Sequence, residues 1–157
     1  MLKIPSKLSI FLSLIISVMF FVLCMVGAFF LPALTELLMQ ARNSLNIHDA
    51  FSSAAKTFVH ILAYAVLADV LLADALLFAL LLRVKNGNVF SEKSVALIRG
   101  VSWCCMALCG VFVLLGIYFH IAFIVAFAAL FLGICLRVVK NVIEQATIIK
   151  SENDLTV

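Results

Sequence analysis

Charge is what this sequence has least of. Only 12% of its 157 residues are charged, whereas 66% are hydrophobic and the mean hydropathy is +1.28. That balance excludes a soluble globular chain, and the length leaves room for one domain. The chemistry-bearing motifs are missing too. There is no Ser/His pair, no HExxH and no phosphate-cradling glycine loop, so no enzyme and no cofactor is expected. No CxxC occurs among the five cysteines, Cys24, Cys104, Cys105, Cys109 and Cys135, which all lie in apolar runs. None of them is placed where an oxidising compartment could pair it. Cys105 and Cys109 share a helix face at i, i+4, but no histidine at matching depth completes a metal site, and both read as small packing residues. No solenoid period is present.

What is there is four apolar runs: Leu8 to Leu31, Thr57 to Leu82, Val101 to Phe119 and Ile121 to Leu136. The fold class expected is all-α, a polytopic membrane protein with four transmembrane helices, spans about 8–31, 57–82, 99–119 and 121–139. The last run is short, but a helical continuation lets Arg137 snorkel to the interface. The net charge of +3 is distributed unevenly. If the N-terminus faces the cytoplasm, the inner segments hold Lys3, Lys7, Arg83, Lys85, Lys93, Arg99, Arg137, Lys140 and Lys150, and the outer ones only Arg42 and Lys56. This positive-inside pattern makes both termini cytoplasmic, in the bacterial cytoplasmic membrane. It also accounts for the basic balance without direct nucleic-acid binding.

The second run is the centre of the reading. Its 26 residues would make a helix of about 39 Å, against about 30 Å of hydrocarbon. Fifteen Leu, Ile, Val or Phe side chains favour insertion by about 4.5 to 9 kcal/mol in sum, and Asp69 and Asp74 oppose it by about 5 to 7. Insertion is close to balanced, so both acids should face other helices or a wet cavity. They are functional-site candidates; the competing reading is a protonated carboxyl that simply bonds a neighbouring helix. At i, i+5 they lie about 140° apart, which excludes a catalytic dyad.

The first run is 24 residues, longer than the core of a cleaved signal peptide, and is expected to stay as a helix. Ser6, Ser9, Ser13, Ser17, Cys24 and Gly27 form a stripe of small residues along it, which favours close helix contact in lipid. Asp74 is nine residues from Arg83, and Ser17 ten from Lys7, so both sit about 13 to 15 Å deep. Ser13 or Ser17 is therefore expected to donate a hydrogen bond to Asp74. Asp69 lies on a different stripe and should face another neighbour. Pro32 is expected to end or kink the helix. Leu34, Leu37, Leu38, Ala41 and Leu45 then mark an outer amphipathic segment, 33–46, lying in the interface or extending the helix onto the bundle. Asn43 to Ser53 reads as a polar turn. His48, His60 and His120 all fall near the outer side, too scattered to predict a zinc site.

Residues 83–98 form the inner loop, with a turn at Lys85-Asn86-Gly87-Asn88 and Ser91 and Glu92 suited to start a helix. Gly100, Cys104, Ala107 and Gly110 suggest close contact in the third span. His120 and its neighbours leave only a tight turn before the fourth. There Ala122, Ala126, Ala129 and Gly133 form a second stripe of small residues, continued by Arg137, Lys140 and Glu144. One helix should run to about Ile149, with 140–157 as a cytoplasmic extension and acidic tail.

Two stretches carry a resemblance. Gly87-Asn88-Val89-Phe90-Ser91 with Val95, Leu97 and Arg99, and the ending Glu152-Asn153-Asp154-Leu155-Thr156-Val157, are similar to motifs of the bacterial domain-of-unknown-function 2975 family of small four-span membrane proteins. Its members are commonly encoded beside a very small helix-turn-helix transcription regulator of the Cro/repressor type. The resemblance implies a membrane partner that holds or signals to such a regulator. The surface expected to serve it is cytoplasmic: Arg83, Lys85, Phe90, Ser91, Arg99, Arg137, Lys140, Glu152, Asn153, Asp154 and Leu155. No family motif covers Asp69 or Asp74. A second reading makes the chain a small transporter, a transporter subunit or an immunity protein. Asp69 and Asp74 would then be its proton or cation site, with Ser13 and Ser17 beside them, and a homo-oligomer would supply the symmetry a single chain lacks.

Overall fold

The computed structural model describes residues 6–44, 53–86 and 91–154. They form four helices: α1 (Ser6–Ser44), α2 (Ser53–Lys85), α3 (Glu92–Gly116) and α4 (Ala122–Asp154). Each is long and apolar enough to cross a membrane. At 39, 33, 25 and 33 residues they measure roughly 58, 50, 38 and 50 Å. All but α3 therefore exceed a ~30 Å hydrocarbon layer by several turns.

The helices stand in an open row. Among the described residues α1 packs on α2 alone, α2 lies between α1 and α3, and α4 packs on α3 alone. The α3–α4 pair is the tightest, because small residues face each other there. Ala122, Ala126 and Gly133 of α4 are buried, and the Ser102 hydroxyl of α3 donates to the Gly133 carbonyl at 2.9 Å. A Cβ at Gly133 would lie 3.3 Å from both Cys105 Cβ and Met106 Sδ. Between α2 and α3 the close approach is at Gly100, where a Cβ would lie 3.0 Å from Leu76 Cδ1. Most large apolar side chains point outward, Phe29, Ile121, Ile124 and Phe127 among them. Outward apolar surface of this extent is the reverse of a soluble core and matches a lipid-facing one.

The structure chooses between the two readings of segment 33–46 and shifts two helix ends. α1 runs straight through Pro32 to Ser44, so the segment 33–46 is a helical extension as far as it is described, and Leu45 and Asn46 lie outside the described residues. Proline removes one backbone donor, which frees the carbonyl four residues back, at Ala28; the Thr35 hydroxyl bonds the Pro32 carbonyl at 2.8 Å. The extension packs, with Thr35 and Met39 buried. The third helix stops at Gly116, and residues 117–121 make the tight turn, held by Tyr118 N and Phe119 N on the Leu115 carbonyl. α4 reaches Asp154 rather than Ile149. The Ser91 cap forms as expected: φ −144°, ψ 148°, with its hydroxyl accepting from Ser94 N. Ala107 and Gly110, read as contact residues, are exposed, and Gly110 has nothing within 4 Å of a Cβ. They lie on the outward side of α3.

Candidate functional site

The two aspartates of α2 face different helices, as their angular separation requires. Asp74 points at α1, where the Ser17 hydroxyl, 5% exposed, donates to its Oδ1 at 2.8 Å. Ser13 is not part of this contact. Its hydroxyl donates to the Ser9 carbonyl of its own helix at 3.0 Å, the alternative open to any serine within a helix. A cleft of about 270 Å³ beside the pair is lined by Ser17, Val18, Phe21, Asp74, Ala75 and Phe78. Asp69 points at α3, where Cys104 is its neighbour. Its Oδ2 is buried without any partner. An unpaired carboxyl oxygen in an apolar interior is costly, so this acid has hydrogen-bonding capacity to spare.

The basic end is the end of the row holding the α2–α3 connection and the C-terminal part of α4. Arg99 of α3 and Arg137 and Lys140 of α4 converge here. Arg99 and Lys140 both pair with Glu144, Arg99 at 3.7 Å. The Arg137 guanidinium lies over the Trp103 ring, 5.0 Å from its centroid. Glu144 is 22 residues beyond Ala122, ~33 Å along α4, and so outside the hydrocarbon. Its hydrogen bond to Lys140, with smaller help from the charges of Lys140 and Arg99, holds its carboxyl below the ordinary range.

Other residues proposed from sequence fall elsewhere. Arg83 and Lys85 close α2, Glu152 is exposed near the end of α4, and Asn153 and Asp154 complete its last turn. Phe90, Leu155 and His48 lie outside the described residues. Above Arg99, α3 and α4 leave a groove of about 600 Å³ lined by Ser91, Glu92, Val95, Ala96, Arg99, Glu144, Thr147 and Ile148.

Sequence reasoning missed two contacts. At the opposite end His60 Nδ1 donates to the Lys56 carbonyl at 2.8 Å, and Nε2 meets the Thr35 hydroxyl at 2.9 Å, tying α2 to the extension of α1. Depth counted from Arg42 and Lys56 could have suggested it. The Trp103–Arg137 pair depends on helix register and left no such signal. Among the described residues no group of three or more His, Cys, Asp or Glu side chains could hold a metal ion.

The profile of a family described as a protein of unknown function, DUF2975, matches residues 37–157. The chain belongs to that family. The match takes in the last turns of α1 from residue 37 and all of α2, α3 and α4, including both aspartates and the basic end; Ser17 and Thr35 lie before it. No curated protein and no solved structure matches this DUF2975 member.

Proposed function

We propose that this DUF2975 protein is a non-enzymatic regulator of the bacterial cytoplasmic membrane that binds a small helix-turn-helix transcription regulator at its cytoplasmic face. The observation that carries the reading is the groove between the start of α3 and the projecting end of α4. α4 is ~20 Å longer than the hydrocarbon is thick, so it offers a soluble partner a surface clear of the headgroups. Apolar Val95, Ala96 and Ile148 lie there beside charged Glu92, Arg99 and Glu144, a mixture suited to a protein partner rather than to lipid tails. The positive-inside distribution supports an inward orientation for this end.

The test is a pull-down of the tagged protein from native membranes, the unaltered chain against one carrying Ala96→Glu and Ile148→Glu, two exposed positions of the groove. A small helix-turn-helix protein recovered with the unaltered chain and lost with the variant supports the reading. Recovery of none with either chain overturns it.

A second reading, a proton or cation site in a small transporter or transporter subunit, is favoured by one observation: the unpartnered Oδ2 of Asp69. Asp69→Asn and Asp74→Asn should then abolish proton-coupled flux in proteoliposomes, whereas loss of the tail should leave it intact.

A further inference from the structure

We propose that the α3–α4 cleft at the basic end binds the phosphate headgroup of an anionic phospholipid. The cleft, about 290 Å³, is lined by Arg99, Ser102, Trp103, Arg137, Lys140 and Asn141. Three cations meet there with one carboxylate, Glu144, at the edge. Glu144 engages Arg99 and Lys140, while Arg137 has no carboxylate partner among the described residues and rests against Trp103. A guanidinium with its donors uncommitted suits a phosphate, which it can grip with two parallel hydrogen bonds. The Asn141 amide, 3.4 Å from Lys140 Nζ, adds polar capacity on the same rim.

Depth decides which phosphate. Counted from the turn at 117–121, Arg137 lies ~22 Å along α4, Arg99 ~26 Å along α3 and Lys140 ~27 Å along α4. With a hydrocarbon layer of ~30 Å, these heads sit at the boundary between acyl chains and headgroups. A free anion would have to descend past the headgroups to reach them, whereas a lipid phosphate is already at that level. Trp103, 61% exposed and one turn deeper than Arg99, lies below that boundary, near which indole rings concentrate. Ile134, one turn deeper than Arg137 and 52% exposed, offers apolar surface for an acyl chain. Basic clefts between transmembrane helices at this level are the usual seat of anionic headgroups. The proposal is independent of the partner groove, which lies further out on the same two helices.

The test uses the full-length protein purified in a neutral detergent, with phosphatidylglycerol or phosphatidylcholine added. Bound lipid is counted by native mass spectrometry and thermal unfolding is followed alongside. Phosphatidylglycerol should remain bound and raise the midpoint, and phosphatidylcholine should do neither. Arg137→Gln with Lys140→Gln should weaken phosphatidylglycerol binding at least about tenfold. Arg83→Gln with Lys85→Gln, which removes equal charge outside the cleft, should change it less than about threefold. Asn141→Glu changes an exposed side chain without touching the packing, and should weaken binding by setting a carboxylate on the rim. Equal retention of the two lipids, or equal losses from the two double variants, would overturn the proposal. So would millimolar inorganic phosphate giving the same stabilisation in lipid-free detergent, because the cleft would then be a site for the free anion.

Discussion

Of the two serines that depth-matching nominated for Asp74, one makes the bond and the other turns back onto its own helix. Ser17→Ala should lower stability in detergent by about 0.6 kcal/mol, and by no more than about 1.7, the range for single hydrogen bonds between membrane helices. Ser13→Ala should change nothing measurable. Reversible unfolding in mixed micelles checks both, and equal losses would show that the bond to the carboxylate contributes nothing of its own. This pairing was legible because Lys7 and Arg83 mark the same edge of the bilayer and the rise per residue is fixed. Cys104 beside Asp69 was not. Its helix carries several small residues, and sequence alone does not say which of them turns inward.

Helices obey the same logic with more at stake. Gly133 sits under Cys105 and Met106 and gives its carbonyl to Ser102, whereas Gly110 meets nothing within 4 Å. Gly133→Leu should therefore destabilise the α3–α4 pair by about 1–3 kcal/mol, through overpacking. Gly110→Leu should be near neutral, and a comparison of the two unfolding midpoints in one detergent reads the difference. The stripe through Ala122, Ala126 and Gly133 announced its contact; the glycines and alanines of α3 announced one too, and at Ala107 and Gly110 misled. Small residues permit close approach without requiring it. Pro32 left an end, a kink or an extension open; α1 continues through it, because proline costs a single backbone bond and the residues on both sides are helical. At the end of α4 the lowered pKa of Glu144 sets a pH window. Its contribution is fully present above the ordinary glutamate range and is lost as pH falls through the lower folded value. The protection of amides around Glu144, measured against the intrinsic exchange rate at each pH, should fall on acidification through that window, and less so in Glu144→Gln.

For the whole molecule, four spanning helices could be read from hydropathy, the α1–α2 pair from depth and the α3–α4 pair from its tight turn; that α2 packs on α3 could not, because every helix carries some small residues and none names its neighbour. The open row makes a prediction of its own. Two fragments, one ending at Asn86 and one beginning at Ser91, share among the described residues only the α2–α3 contact, so co-expressed halves should reassociate. Gly100→Leu, pressing on Leu76, should weaken that association while leaving each half inserted; co-purification of one half by a tag on the other measures it. Insertion can follow the same order, since every helix finds its partner in the one made just before it and no early helix must wait for a late one. The four elements are thus wired in series. A displacement of α1 at Thr35 can reach the Arg137 end of α4 through protein only by crossing three interfaces in turn, and loosening any one of them isolates the two ends from each other.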